Sequence, residues 1–137
     1  MASLTPTQRT LRALRELGLE CAIVEKWNNY GGAGLTVDGK HIPGKRTDLF
    51  NIIDVLALDP QRGVIGVQSC GSSFSEHLKK LTIEKAQESS NWLKTPGTVL
   101  ELWGWRKVKV KKGGKALRWL PRIRIITLSD IENPLTE

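Results

Sequence analysis

The chain contains few cysteines, few histidines and no long apolar run, and each shortage excludes a class of protein. Among its 137 residues are 2 cysteines and 2 histidines, too few for a disulfide framework or for a zinc site of four cysteines. No segment provides the roughly 20 apolar residues of a membrane-spanning helix, and the first ten residues lack the apolar core of a secretory signal. We therefore expect a cytoplasmic protein with reduced thiols and no membrane partner.

One acid lies inside the most apolar stretch of the chain. Large and β-branched apolar residues surround Asp54 from position 50 to 58, and Asp59-Pro60 closes the stretch with a turn signal. The pattern predicts an inner β-strand. A carboxylate buried in such a strand is costly unless it is ion-paired, hydrogen-bonded or bound to a metal. Asp54 therefore needs a compensating partner.

Two interpretations of Asp54 are open. It could lie at a strand end, partly hydrated, and accept hydrogen bonds from backbone groups or a neighbouring cation. Alternatively, the apolar run 64–67 predicts a second strand that ends in Gln68 and Cys70. Adjacent strands would then bring the oxygen atoms of Asp54 and Gln68 to one point, as a hard divalent cation requires. The position of Gln68 favours this second interpretation.

The order of these residues resembles a nuclease motif. An acid on one strand followed by (Glu/Gln)-x-Lys on the next resembles the PD-(D/E)XK nuclease superfamily, in its Holliday-junction-resolvase-like and phage-type branch. The similarity covers residues 11–126, with a degenerate motif. It implies a Mg²⁺ or Mn²⁺ site in which Asp54 is the acid and Gln68 the second ligand. Cys70 stands where the family has lysine, and a neutral thiol cannot supply an ammonium group.

A lysine that could replace the missing one lies on the following helix, predicted over residues 74–93. His77 and Lys80 share one face of it at three-residue spacing. The phage-type relatives carry a basic residue and a lysine at the matching positions, so the resemblance implies catalytic roles for both. An ordinary surface lysine is the alternative for Lys80. Three further acids are candidates for completing the metal site: Glu16, Glu25 and Asp48.

The rest of the pattern predicts an α/β fold in a single domain, residues 1–137. The capping signals Thr5, Pro6 and Gln8 predict a helix over 5–18, with an apolar stripe of Leu11, Leu14 and Leu17. A first strand is expected over 19–27, followed by a flexible glycine-rich loop over 28–45. The strand predicted over 97–105 should run parallel to the strand before the helix. The resemblance implies a restriction-endonuclease-like α-β-β-β-α-β core, with a mixed central sheet flanked by helices and a C-terminal β-hairpin extension.

That hairpin, predicted over 106–126 with its turn at Gly113-Gly114, is strongly basic. Between Gly104 and Ile126 there are nine lysines or arginines and no acid, and the net charge of the chain is +7. The alternation with valine and isoleucine predicts one cationic and one apolar face. Nucleic acid is the polyanion that such a surface fits, although lysines on an edge strand can also simply prevent aggregation. The residues expected to contact DNA are Lys45, Arg46, Lys107, Lys109, Lys111, Lys112, Arg122 and Arg124.

Two functions are consistent with these residues. The first is a Mg²⁺-dependent endonuclease that hydrolyses phosphodiester bonds of DNA; its resolvase-like relatives imply branched DNA, a homodimer and a bacterial or phage-infected cell. The second is a catalytically inactive, nuclease-like DNA-binding protein, because Gln68 carries no charge and Cys70 no ammonium. Besides Asp54 and Gln68, the enzyme requires a third ligand that is a carboxylate, since one anionic ligand holds Mg²⁺ weakly.

Overall fold

The computed structural model describes residues 3–28, 35–37, 40–42 and 45–133. The helices are α1 (Pro6–Glu16), α2 (Phe74–Lys79), α3 (Ala86–Lys94) and α4 (Leu128–Glu132), with a π-helical turn (Lys80–Glu84) between α2 and α3. The strands are β1 (Glu20–Ile23), β2 (Lys26–Asn28), β3 (Leu35–Val37), β4 (Lys40–Ile42), β5 (Lys45–Thr47), β6 (Val55–Asp59), β7 (Gly63–Cys70), β8 (Thr98–Lys109) and β9 (Leu117–Ile126).

Five strands form a mixed sheet in the order β1-β6-β7-β8-β9. β7 and β8 are parallel, from Val64 opposite Thr98 to Cys70 opposite Gly104, and the other neighbours in this sheet are antiparallel. The helical connection between β7 and β8 accounts for the parallel pair, because such a crossover returns the chain in the same direction. The predicted α/β class, with a mixed sheet flanked by helices, is confirmed.

Helices cover both faces of this sheet. On one face, Leu14 of α1 packs on buried residues of the inner strands. On the other face, α2 and the π-helical turn contribute Phe74, Leu78 and Leu81 to a second buried cluster. Alternation along β8 separates the two sides, since Leu102 belongs to the second cluster and Trp103 to the first.

The ends of α1 follow the predicted capping signals. The side chain of Thr5 accepts a hydrogen bond from the backbone N–H of Gln8, and the Gln8 side chain accepts one from the N–H of Thr5, which completes a capping box. Gly18 ends the helix with a φ of 82°, a conformation that glycine adopts without steric cost. Leu17, expected on the apolar stripe, is instead 70% exposed.

The strand predicted over 50–58 is regular only from Val55 onward. Before it, Phe50 and Asn51 have left-handed backbone conformations, with φ angles of 53° and 63°. They form a turn that is closed by hydrogen bonds between Leu49 and Ile53. Asp54 therefore precedes β6 directly and lies at the end of a strand, as the first interpretation supposed, but it is 4% exposed rather than partly hydrated.

The predicted helix over 74–93 and the predicted strand over 97–105 are both present with altered limits. The helix is interrupted by the π-helical turn, in which the N–H of Lys85 donates to the carbonyl of Lys80 at 2.7 Å. The strand continues to Lys109, so the basic hairpin is the outer part of β8 and β9 rather than a separate extension. None of the helices within the described ranges has the length and apolar character needed to cross a bilayer.

The region predicted as a flexible loop contains short strands where the structure describes it. β2 pairs with β5 and β3 pairs with β4, both antiparallel. The predicted first strand thus divides into β1, in the main sheet, and β2, in a separate ladder. The parts of the predicted loop at 29–34, 38–39 and 43–44 lie outside the described residues.

Candidate metal centre

The turn before β6 brings two acids together. Asp48 begins the turn, where its carbonyl accepts the N–H of Asn51 at 2.9 Å, and Asp54 ends it. The N–H of Asp54 donates to the carbonyl of Val67 on β7 at 2.8 Å, which fixes the acid beside the central strand. Because the turn closes on itself, the side chains of Asp48 and Asp54 meet and share a hydrogen bond.

Asp54 is held by β7. Its side chain is almost fully enclosed, with the residue 4% exposed. Oδ2 accepts hydrogen bonds from Nε2 of Gln68 at 2.7 Å and from the backbone N–H of Ser69 at 2.8 Å. These donors partly compensate the cost of burying the carboxyl group. The side-chain pattern of the sequence cannot predict the backbone donor at Ser69, because any residue other than proline could supply this N–H.

Gln68 and Lys80 complete the cluster. Nε2 of Gln68 also donates to Oδ2 of Asp48 at 3.2 Å, while Oε1 accepts from Nζ of Lys80 at 2.9 Å. Lys80 forms an ion pair with Asp48 over 3.2 Å, and its side chain is 29% exposed. The side chain of Gln68 thus directs its amide nitrogen toward the acids. To act as a metal ligand it would have to rotate and present Oε1 instead.

A third carboxylate is close to the pair. Glu25, Asp48 and Asp54 each offer an oxygen atom, and these atoms all lie within 4.8 Å of one another. Glu25 reaches this point because β1 ends at Ile23, opposite Val55, and the N–H of Val24 donates to the carbonyl of Asp54 at 2.8 Å. Oxygen ligands at such spacing suit a hard divalent cation. The described residues therefore include an acidic trio that could hold a metal ion.

The pKa values of the two aspartates are also consistent with a cation site. Burial, reinforced by the neighbouring Asp48, raises the pKa of Asp54 to about 8. Burial also disfavours ionisation of Asp48, but the hydrogen bond from Asp54, the charge of Lys80 and the bond from Gln68 outweigh it and lower the pKa of Asp48. At neutral pH the pair therefore retains one proton, as two carboxyl groups in contact do when no cation separates them.

The π-helical turn determines where Lys80 lies. Lys80 follows the last residue of α2 and begins the turn, so its side chain leaves the helix just where the i to i+5 bonding starts. A π-helical turn inside an α-helix is a feature often found at functional sites. The three-residue spacing to His77 predicts that Lys80 shares a helix face with it, whereas no residue pattern predicts the extra residue in the turn.

Cys70, which stands where the resembled motif has lysine, is an apolar core residue. It is 3% exposed and packs in the same buried cluster as Phe74. Burial and the charge of Asp54 raise the pKa of its thiol to about 11. The thiol is therefore neutral at physiological pH, and the ammonium at this site comes from Lys80.

Two residues predicted for the site lie elsewhere. Glu16 is on α1, on the opposite face of the sheet from Gln68, and forms a solvent-exposed ion pair with Arg12 at 3.4 Å. Glu16 is thus not part of the acidic trio, and its predicted role as a metal ligand has no support in these contacts. His77 hydrogen-bonds through Nδ1 to the carbonyl of Ser73 at 2.9 Å. Among the described residues, no hydrogen bond joins His77 to the acids or to Lys80, so the catalytic role predicted for it has no support in these contacts.

The cations of the hairpin do not share one face. Lys107 is opposite Trp119 in the pairing of β8 with β9, whereas Arg122 is opposite Gly104, and an odd offset along a strand means opposite faces. Arg122 lies 4.1 Å over the ring of Phe74, and Arg124 pairs with Asp130 at 3.1 Å. The lysines of the hairpin that are exposed to solvent are Lys107, Lys109, Lys111, Lys112 and Lys115.

Two other residues predicted to contact DNA, Lys45 and Arg46, lie in β5, and the structure describes only their backbone. The nine cations predicted for one face of the hairpin are therefore divided between its two faces, and all of them except Arg124 are exposed.

Comparisons with protein-family models, with curated proteins and with solved structures give no match to this chain. The nuclease resemblance thus rests on the residues themselves, and the arrangement of Glu25, Asp48, Asp54, Gln68 and Lys80 is the observation from which function can be argued.

Proposed function

We propose that this protein is a divalent-metal-dependent endonuclease that hydrolyses phosphodiester bonds of DNA, with a PD-(D/E)XK-like site and fold. The observation that carries the proposal is the convergence of three carboxylates with one ammonium group. Paired acids that retain a proton, with a lysine 3.2 Å from one of them, form a site for a cation and for a phosphate oxygen.

The residues fit a Mg²⁺ or Mn²⁺ ion. Asp48, Asp54 and Glu25 would hold it, and Gln68 could join them through Oε1. When bound, such an ion activates water and stabilises charge on the transferring phosphoryl group. Lys80, at the edge of the same cluster and partly exposed, would donate to a phosphate oxygen in the transition state, where a preorganised cation is most effective.

The exposed lysines of the hairpin support DNA as the substrate. Cys70 at the end of β7 is opposite Gly104 in β8, and β8 continues to Lys109, so the hairpin extends beyond the sheet at the end that carries Gln68. At about 3.3 Å per residue, Lys109 lies roughly 17 Å beyond Gly104. By alternation along β8, Lys107 and Lys109 share the face of Trp103, opposite to that of Gln68, so DNA over the acids would contact them where it passes around the end of the hairpin. As part of the proposal, the resemblance implies a homodimer that cuts branched DNA.

An inactive DNA-binding protein is the second candidate, because the motif lacks both its glutamate and its lysine. The structure weakens the two reasons for this alternative. Glu25 and Asp48 provide the negative charge that Gln68 lacks, and Lys80 provides the ammonium that Cys70 lacks. The endonuclease therefore accounts for more of the observed contacts.

The direct test is cleavage of DNA. We expect the purified protein to cut linear or four-way branched DNA in the presence of Mg²⁺ or Mn²⁺, and excess chelator should stop the reaction because the acids alone cannot activate water. Product ends are read on a denaturing gel. Absence of cleavage on both substrates with both ions, together with retained DNA binding, would favour the inactive protein.

A second expectation concerns the hairpin. Replacing Lys107, Lys109 and Lys111 by alanine should weaken binding to all DNA sequences alike, because interactions with phosphate carry no sequence information. The slope of log K against log salt should fall by about 0.9 for each lysine–phosphate interaction removed. The measurement is a binding titration at several salt concentrations.

The matched control for this variant removes three other exposed cations, Arg12, Arg15 and Lys94, which lowers the net charge equally but leaves the hairpin intact. Equal salt slopes in both triple variants would show that the hairpin lysines act only through net charge.

A further inference from the structure

The turn between the two aspartates carries an exposed aromatic ring. Phe50 lies two residues after Asp48 and four before Asp54, and it is 60% exposed. Consecutive Cα atoms are about 3.8 Å apart, so the Cα of Phe50 is within about 7.6 Å of that of Asp48. A large apolar residue is thus presented to solvent next to the candidate metal centre.

The backbone of this turn is strained. Phe50 and Asn51 have φ angles of 53° and 63°. Asparagine adopts this region with modest cost, but a bulky residue there is an outlier. Such strain is retained where the structure requires a particular side chain in a particular direction, typically at binding sites. Glycine would fit the backbone at position 50 better than phenylalanine. The backbone conformation therefore does not account for the phenylalanine side chain at this position.

A small groove lies beside the ring. Its lining residues are Phe50, Glu88, Asn91, Trp92 and Thr95, and its volume is about 230 Å³. This is below the roughly 300–1,000 Å³ of pockets for whole small-molecule ligands, so it suits a single planar ring rather than a complete nucleotide. Two aromatic side chains with an amide, a hydroxyl and a carboxylate are the groups that stack on a nucleobase and bond to its edge.

We propose that Phe50 stacks on a nucleobase that has left the helical stack beside the scissile phosphate, and that the preferred substrate is DNA with an unpaired or displaced base at the cut. This inference rests on the proposed function for the identity of the substrate. A phosphodiester at the acids brings its own base within reach of the turn. An intact duplex keeps its bases covered by their neighbours, whereas a branch point, bulge or distorted step exposes one.

DNA binding measured without divalent metal tests the stacking role of Phe50, because the DNA is not cleaved under that condition. Two duplexes are compared in chelator: one fully paired and one with a single unpaired 2-aminopurine, whose fluorescence reports stacking. We expect the wild type to bind the second duplex about 5- to 150-fold more tightly, the range that corresponds to one base–aromatic stack, and to quench its fluorescence. Phe50→Gly should lose both the preference and the quenching, and Phe50→Trp should keep them.

The turn offers a matched control. Asn51→Gly relieves the same kind of strain one residue away while leaving the ring in place, so its preference and quenching should equal those of the wild type. Phe50→Gly should melt no lower than the wild type, because glycine accepts a positive φ and the ring is mostly exposed. A large loss of melting temperature in Phe50→Gly would show that the ring holds the fold, which overturns the inference.

The outcomes separate the inference from the proposed function. Cleavage by a wild type that shows no preference for the unpaired base, or whose Phe50→Gly variant keeps that preference, would overturn the stacking role and leave the endonuclease intact. A Phe50-dependent preference in a protein that never cleaves would support stacking and remove the endonuclease. Failure to bind either duplex, together with absence of cleavage in Mg²⁺ or Mn²⁺, would remove both.

Discussion

Replacing Asp54 by asparagine is expected to abolish metal-dependent DNA cleavage without damage to the fold. The loss should exceed about 100-fold, since a metal ion contributes several kcal/mol to transition-state stabilisation and each 1.36 kcal/mol is a factor of ten. The amide reproduces the protonated acid, because its oxygen can accept from Gln68 and Ser69 as Oδ2 does, and its nitrogen can donate to Asp48. DNA binding should stay equal or become slightly tighter.

The difference in stability between this variant and the wild type should depend on pH. The pKa of Asp54 is raised to about 8 in the folded protein, against about 3.9 in an unfolded chain. Between these values the unfolded state binds fewer protons than the folded state, so the wild type loses stability as pH rises from about 4 to 8. Asparagine does not titrate. Relative to the wild type, the free energy of unfolding of metal-free Asp54→Asn should therefore increase as the pH rises from about 4 to 8.

A divalent metal should stabilise the wild type relative to Asp54→Asn. Ligands must lose their protons to bind a cation, so Mn²⁺ or Mg²⁺ should raise the melting temperature of the wild type, more strongly at pH 8 than at pH 6. The same ions should leave Asp54→Asn nearly unchanged. Full cleavage by Asp54→Asn, or an equal thermal shift in both proteins, would contradict the site. Thermal melts with and without metal measure this directly.

Local signals predicted much of the fold because they act over a few residues. The capping box at Thr5 and Gln8 and the glycine turn of the hairpin are each determined by neighbouring side chains. The parallel pairing of β7 and β8 follows from the helical connection between them. The proximity of Lys80 to Gln68 follows from a helix that begins just after the strand.

The errors arose where long-range register or unusual turn chemistry decided the outcome. The apolar residues at 50–53 suggested a strand, but Ile52 and Ile53 are fully buried from within a turn. Asn51, which tolerates the left-handed conformation, is the one turn signal among these apolar neighbours. The two strands of the hairpin both alternate charged and apolar residues. Their relative register, which a shift of one residue would invert, places Lys107 and Arg122 on opposite faces.

The assignment of acids to the site shows the same limit. Glu25 and Glu16 both lie near the ends of elements before the loop region, and sequence spacing treats them alike. The pairing of β1 with β6 brings Glu25 to Asp54, whereas α1 packs on the far face of the sheet and removes Glu16. Which side a helix covers depends on packing that no local pattern contains.

Removing the ammonium group of Lys80 is the second large effect that we expect. Lys80→Ala should slow cleavage by about 100-fold or more, the usual result of deleting one preorganised donor to a developing oxyanion. Folding should lose only about 1–3 kcal/mol, the usual result of leaving partly buried acceptors such as Asp48 and Gln68 without one donor. Single-turnover rates at saturating enzyme isolate the chemical step.

Metal affinity distinguishes a chemical role for Lys80 from a structural one. Lys80 and a bound cation compete for Asp48, whose Oδ2 lies 3.2 Å from Nζ. Lys80→Ala should therefore bind Mn²⁺ at least as tightly as the wild type while cutting far more slowly. If the lysine only shaped the site, metal affinity and rate would fall together. Lys79, its exposed neighbour at the end of α2, provides the control, and Lys79→Ala should cut at the wild-type rate. Normal cleavage by Lys80→Ala would mean that a different cation faces the scissile phosphate.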